Sequence, residues 1–224
     1  MNVRAPSQAS LRAFVRRHAR LTPVRDLSGI RLHQADDVTT VWRATGMELG
    51  QADPPLPFWA FAWSGGLAVA RYLVDHPGEV VGRRVLDVAT GSGLCAIVAL
   101  RCGAVSVRGV DIDPLSEAAV AINARANGVR IAFSRRDLLD GEPPEADVIL
   151  AGDVCYEETM AGRMLAWMER AARNGTRVLL GDPGRAYLPA GLEALAGYRV
   201  VTSSEIENPT VKTATVYTFP AADG

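Results

Sequence analysis

Apolar and polar positions change period repeatedly along this chain, and the densest set of changes lies between Arg83 and Pro114. Val85-Leu86-Asp87-Val88 is a short apolar run with one acid, which predicts a strand. Gly91-Ser92-Gly93 follows at once. Leu94 to Cys102 is continuously apolar and predicts a buried helix, and Val105 to Val110 predicts a second strand ending on Asp111. Further on, Pro114 to Asn127 reads as a helix opened by its proline and closed by Gly128. Val129 to Phe133, Ala146 to Ala151 and Thr176 to Leu180 read as strands. Glu157 to Arg173 is amphipathic, with Met160, Met164, Leu165 and Met168 facing inward. Tyr198 to Ser203 and Ala214 to Phe219 alternate, predicting a terminal antiparallel pair joined by Glu205 to Thr213. Strands that alternate with helices predict a mostly parallel, Rossmann-like α/β sheet with a C-terminal antiparallel hairpin.

Ahead of this region, Leu11, Phe14, Val15 and His18 share one helical face, with Ser7 or Ser10 as N-cap. Ile30 to His33 and Val38 to Trp42 predict short strands or turns. Residues 46–57 carry Gly46, Gly50, Pro54, Pro55 and Pro57 and read as a loop, and a helix is expected from about Gly66 to Asp75. The division is an N-terminal helical and short-strand extension, 1–57, and an α/β domain, 58–224. Residues 1–25 hold six arginines and no acid, a composition shared with organellar presequences. A helix docked on the domain is preferred, because Thr22-Pro23-Val24 leads directly into ordered-looking sequence.

The glycine loop fits two cofactor classes. Gly91-x-Gly93-x-x-Ala96 followed by Asp111 satisfies the dinucleotide fingerprint of a dehydrogenase. Asp87-x-Ala89-x-Gly91-x-Gly93 fits better the acid-x-Gly-x-Gly-x-Gly loop of class I S-adenosylmethionine methyltransferases, with Ala89 replacing the first glycine. That replacement implies that position 89 has no obligatory need for positive φ. Asp87 separates the classes, since a carboxylate at the loop repels a pyrophosphate and attracts the ammonium of a methionine moiety. The plainer role for Asp87 is a strand-end acid satisfied by backbone N–H groups. Asp111 is placed to accept from ribose hydroxyls, and Ile112 beside it is assigned to the same cofactor.

Composition narrows the partners. A net charge of −1 leaves no basic field for nucleic acid, and no apolar run reaches bilayer length. Cys95, Cys102 and Cys155 are odd in number and lie in apolar segments, and no His or Cys cluster has metal-ligand spacing. Lys212 is the sole lysine among many arginines, the bias of a GC-rich bacterial genome. A cytoplasmic monomer, without nucleic acid or membrane, is the expectation.

Phe58-Trp59-Ala60-Phe61-Ala62-Trp63 is too aromatic for a surface loop. Phe58 and Phe61 are assigned to the core. Trp59 and Trp63, four apart, are assigned to an aromatic face beside a sulfonium. Together with Val85–Gly93, Asp111–Pro114, Gly152-Asp153-Val154-Cys155-Tyr156 and Gly181-Asp182-Pro183-Gly184-Arg185, this stretch resembles the electron transfer flavoprotein β-subunit lysine methyltransferase family, within the seven-β-strand methyltransferases. The resemblance runs from about Phe14 to Phe219.

It implies S-adenosylmethionine as methyl donor and methylation of a protein lysine, with the flavoprotein β-subunit as substrate and the ribosomal stalk protein as another candidate. It implies an adenine contact at Asp137, with Leu138 beside it. Asp153-x-x-Tyr156 matches the family's acid-x-x-aromatic signature, at a strand end that faces the ligand crevice. Asp153 would accept an amine N–H and aim the lone pair, although a carboxylate also favours the charged amine, and Tyr156 would wall the lysine channel. An N-cap for the following helix is the alternative role of Asp153. Asp182 and Arg185 are expected at the substrate, or else as a lid anchor and the start of a helix. Other readings are a small-molecule or other protein methyltransferase, a non-catalytic S-adenosylmethionine-binding module, and the dehydrogenase. Asp153 and Tyr156 speak against the binding module, and the terminal hairpin against the dehydrogenase.

Overall fold

Continuous apolar runs become the middle of one seven-stranded sheet in the computed structural model, which describes residues 6–202 and 211–220. The outer pair β1 (Arg20–Pro23) and β2 (Arg31–Gln34) forms a separate antiparallel ribbon. In the main sheet, β3 (Arg84–Val88), β4 (Ser106–Val110), β5 (Ala132–Ser134), β6 (Val148–Gly152) and β7 (Arg177–Asp182) are parallel. The hairpin β8 (Glu193–Val201) and β9 (Val211–Thr218) adds antiparallel to β7, giving the order β5-β4-β3-β6-β7-β9-β8. β3 has β4 on one side and β6 on the other, so strand order reverses there and a crevice opens at the carboxyl ends.

Strand alternation splits the core. Val85, Val107, Leu150 and Leu179 join one cluster with α3 (Ser64–Asp75) and α4 (Leu94–Arg101). Leu86, Val110, Ile149 and Leu180 point the other way, against Trp167 and Met168 of α6 (Glu158–Arg173). The N-terminal extension is not a separate body. Its α1 (Gln8–His18), capped by Ser7, buries Leu11, Phe14 and Val15 in a cluster with Trp59 and with Leu115, Ala118 and Ile122 of α5 (Pro114–Ala126).

Five of the sequence expectations shift. Val38 to Trp42 is not a strand or turn but the start of α2 (Val38–Leu49). Asp37 caps it by accepting from the Thr40 amide at 2.5 Å, and Val41 and Thr45, one turn apart, are buried. The β-branched run Val38-Thr39-Thr40-Val41 signals strand by propensity, and the cap overrides it. The loop therefore begins only at Gly50, whose φ of 67° ends the helix. The strand expected at Val129 to Phe133 lies later, at β5, and the first hairpin strand begins at Glu193, well before Tyr198. Arg185 starts no helix, since turns alone connect β7 to β8. Glu205 and Glu207 of the expected hairpin loop lie outside the described residues.

The tightest packing is where α3 crosses the ends of β6 and β7. A Cβ at Gly181 would overlap the Gly65 carbonyl and meet Val69 at 2.8 Å. A Cβ at Gly152 would meet the Gly66 amide nitrogen at 2.7 Å. Backbone lies directly on backbone here, so no side chain can yield. Gly181→Ala is therefore expected to destabilise the fold by about 3 kcal/mol in urea unfolding. Gly162→Ala, in open space on α6, should stabilise it by about 0.5–1 kcal/mol.

Candidate functional site

The glycine loop joins β3 to α4 through three successive odd positions in the left-handed region: Ala89 at φ 50°, Gly91 at 50° and Gly93 at 83°. The expectation that position 89 has no need of positive φ is therefore wrong. The loop keeps its glycine conformation and Ala89 tolerates it, at a cost of roughly 1 kcal/mol. Gly91 lies under the carbonyl of Phe58, which a Cβ would meet at 3.5 Å. Its amide donates to Asp111 Oδ2 at 2.9 Å, and Asp111 Oδ1 accepts from the Asp113 amide at 3.0 Å. Asp111 is held at the end of β4, and burial pushes its carboxyl up. Burial also pushes Asp113 up, to about 6, with Asp111 adding like charge. Ile112 stands 70% exposed beside them, an apolar face open to a ligand.

Asp87 is 2% exposed. Its Oδ2 accepts from the Thr90 hydroxyl at 2.5 Å and from the Ala96 amide in α4 at 3.0 Å. This is the plainer, strand-end role, and it ties the loop to the helix start. Burial pushes the carboxyl up to about 7 against those two bonds, with Asp111 adding repulsion.

The aromatic segment departs from its expected pairing. Phe58–Ala60 is a single 3-10 turn, not part of α3, so Trp59 and Trp63 do not share a helical face. Trp59 is fully buried against Phe14 of the extension, which removes it from any cofactor face. Trp63 is half-buried and donates its indole N–H to the Phe58 carbonyl at 2.9 Å. Phe58, assigned to the core, instead bridges the site. Its ring lies 5.5 Å from that of Trp63 and 5.2 Å from that of Tyr156. The Pro57 just before it is the available sequence signal that this residue leaves a loop rather than a helix.

Asp153 sits at the end of β6 with φ 59°, 7% exposed. Its Oδ2 accepts from the amides of Gly65 and Gly66, at 2.5 and 3.0 Å, at the N-terminus of α3. Its Oδ1 accepts from Arg185 Nε and Nη2 at 3.1 and 2.6 Å. It does not cap α6, whose N-cap is Glu157. It caps α3 instead, across the sheet. Tyr156, three residues on, is 45% exposed at the mouth, and burial raises its hydroxyl while Arg185 opposes the rise.

Asp182 is 1% exposed, with Oδ1 accepting from the amides of Gly184 and Arg185 at 2.7 and 2.6 Å. It is a buried turn anchor and cannot touch a substrate. Asp137 also works locally. It accepts from the Leu139 amide at 2.9 Å and from Arg163 at 3.1 Å, the plain loop-acid role rather than an adenine contact, and Leu138 packs half-buried on the core beneath. Among the described residues no group of three or more His, Cys, Asp or Glu could hold a metal ion, and no helix is long and apolar enough to cross a membrane.

The donor set suits a cationic nucleoside. It offers a glycine turn on a helix start, an acid at each of the β3 and β4 ends, and an aromatic wall of Phe58, Trp63 and Tyr156. With the sheet order and terminal hairpin, this defines a Rossmann-like class I methyltransferase. The fold agrees with that of magnesium protoporphyrin IX methyltransferase from Synechocystis, solved with bound S-adenosylhomocysteine. That match has a TM-score of 0.52 and 17% identity, and covers 83% of this chain and all of that one. The family described as ribosomal protein L11 methyltransferase (PrmA) matches residues 74–154.

Electron transfer flavoprotein beta subunit lysine methyltransferase of Xenopus laevis is 34% identical over 215 residues, covering 93% of this chain and 86% of its own length. The mouse protein of the same name is 35% identical over 170 residues, covering 73% and 67%. The chain belongs to the electron transfer flavoprotein β-subunit lysine methyltransferase family.

Burial of Asp87 sets a pH dependence. Its folded value, about 7, lies above the ordinary 3.8, so between about pH 4 and 7 the unfolded chain has lost a proton that the folded chain keeps. Stability is therefore highest at the acid end of this range and falls as pH rises. Asp111 and Asp113 add to the same slope. Asp87→Asn should flatten its share, at most about 1.4 kcal/mol per pH unit, in urea titrations from pH 4 to 8.

Proposed function

We propose that this protein transfers a methyl group from S-adenosylmethionine to lysine of the electron transfer flavoprotein β-subunit, as a cytoplasmic monomer. The observation that carries the reading is the signature pair Asp153 and Tyr156 at the end of β6, with Phe58 packed on Tyr156 and its carbonyl against the glycine loop. Three free cysteines, two of them buried, suit a reducing compartment.

The residues that would hold the cofactor are Ala89, Gly91 and Gly93 of the loop, which Asp87 braces from beneath, Asp111 and Ile112 at the β4 end, and Trp63 on the aromatic side. When bound, S-adenosylmethionine would supply an electrophilic methyl group to the lone pair of the substrate amine and leave as the neutral thioether, the proton of the new ammonium passing to water. The protein's own part is placement. Phe58, Trp63 and Tyr156 exclude water from the line of attack and offer ring faces to positive charge. Asp153 holds the α3 N-terminus, and with it the aromatic segment, against the strand ends. An adenine contact through Asp137 would share that acid with Arg163 and the Leu139 amide.

The L11 methyltransferase match ends at residue 154, before Tyr156, Asp182 and Arg185, so it covers cofactor residues and is silent on the substrate. The similarity to the Xenopus protein runs across both. This favours the flavoprotein β-subunit over a ribosomal protein. The test is transfer of labelled methyl from S-adenosylmethionine into a bacterial cell extract, with labelled bands identified by mass spectrometry. A methyl-lysine on the β-subunit is expected, falling at least a hundredfold with Tyr156→Ala. Label on a ribosomal protein or a small molecule alone would overturn the assignment.

A further inference from the structure

A carboxylate beside a substrate lysine poses a chemical problem. It attracts the lysine but stabilises the ammonium, and an ammonium has no lone pair with which to attack a methyl group. The geometry around Asp153 removes that problem. A carboxylate offers about four lone-pair sites. On Asp153 two amides occupy Oδ2, and the Arg185 guanidinium lies along Oδ1 through two nitrogens. The Arg185 side chain is 21% exposed while that of Asp153 is 8% exposed, so the cation is the member of the pair nearer to solvent. Its charge is felt at the Tyr156 hydroxyl, where it opposes the effects of Asp111 and Glu157. Arg185, Tyr156 and Asp111 therefore surround one mouth, contributed by the ends of β7, β6 and β4.

Resting on the lysine methyltransferase reading, we propose that Arg185 is a positioning residue that cancels the charge of Asp153 at the mouth, so that the substrate lysine enters as the free amine. The turn is built to hold it there. Asp182, itself buried, accepts from the Arg185 amide, fixing the residue's backbone before its side chain reaches across to β6. Among the described residues, the charged or titratable groups around Arg185 include Asp153, Cys155 and Tyr156 from the segment after β6, and Asp182 from its own turn. Glu157 and Asp111 act on the same mouth through Tyr156. Removing the guanidinium leaves an uncancelled carboxylate facing the lysine. The ammonium would then bind well and react poorly.

The experiment uses the recombinant flavoprotein β-subunit as substrate. Methyl transfer is followed from pH 6 to 10 for wild type, Arg185→Lys, Arg185→Met and the double variant Asp153→Asn with Arg185→Met. Affinity for the β-subunit is measured separately by calorimetry in the presence of S-adenosylhomocysteine. For Arg185→Met the rising limb of kcat, which reports the bound lysine, should move up by about one pH unit, with kcat below the limb about tenfold lower. Affinity at neutral pH should be unchanged or tighter. Arg185→Lys keeps the charge and should keep the wild-type limb. The double variant removes both charges and should return the limb to its wild-type position even if its overall rate is low.

A limb that stays in place in Arg185→Met, with activity reduced evenly across pH, would reduce Arg185 to a structural tie and overturn the proposal. If Arg185→Met does not fold, a limb in the double variant displaced from that of wild type would overturn it instead. No lysine methylation of the β-subunit by the wild type would overturn the underlying reading, and the proposal with it.

Discussion

The site depends on one contact, the docking of the α3 N-terminus onto the ends of β6 and β7. Gly65 and Gly66 lie on Gly152 and Gly181 with no room for a side chain. Bare backbone at such a crossing would leave the helix-start amides facing strand ends in a dry interior. The Asp153 carboxylate supplies the missing acceptor, and the partial positive charge of the helix start favours it. Two charge-assisted bonds, each worth roughly 1.5–3 kcal/mol, outweigh the roughly 1 kcal/mol that a non-glycine residue costs at φ 59°. The strain at Asp153 thus has an evident source of compensation in the structure.

The rest of the mouth follows from that contact. α3 is preceded directly by Trp63, whose indole N–H holds the Phe58 carbonyl, and Phe58 covers Gly91 and meets Tyr156. Fixing the helix start therefore fixes the aromatic segment over the glycine loop. The extension acts from the other end. Phe14 meets Trp59 edge-on and the α1 cluster runs onto α5, so the segment between Trp59 and Trp63 is clamped on both sides. Phe58, at the boundary of the two, is the residue left free to face the crevice.

Much of this was legible in the sequence, and what failed did so for physical reasons. Strands and helices of the α/β core were readable because their apolar runs are buried on both faces and their glycines fall at turns. The acid-x-x-aromatic signature could be placed because a residue at the end of a parallel strand must face the crevice. Trp59 and Trp63 do not pair as their spacing suggests, because a spacing of four implies one face only if the segment is helical, and here the 3-10 turn ends at Ala60 and Phe61 is extended before α3 begins at Ser64. Val38 to Trp42 was misread because β-branched residues weigh toward strand, while one capping aspartate at position 37 decides for helix. Ala89 shows the reverse: the residue type argued for ordinary φ, and the loop's need for a tight turn prevailed. The partners of Asp153 were invisible because Gly65 and Arg185 lie 88 and 32 residues away in sequence, and only the sheet brings them together.

Those two partners also reconcile the two functions that one acid seemed to need. As a lone carboxylate, Asp153 would have to attract a lysine and yet leave it uncharged, demands that oppose each other. As an acceptor committed to a helix start and an arginine, it carries out neither directly. Its negative charge is used internally, on a helix start and an arginine, and the surface it presents to the crevice is close to neutral. Loss of the acid would remove the acceptor shared by the α3 start and Arg185 and loosen the aromatic wall. A large effect of its removal would therefore report architecture as much as chemistry, and only substitutions that change the charge of the pair while keeping its shape can tell the two apart.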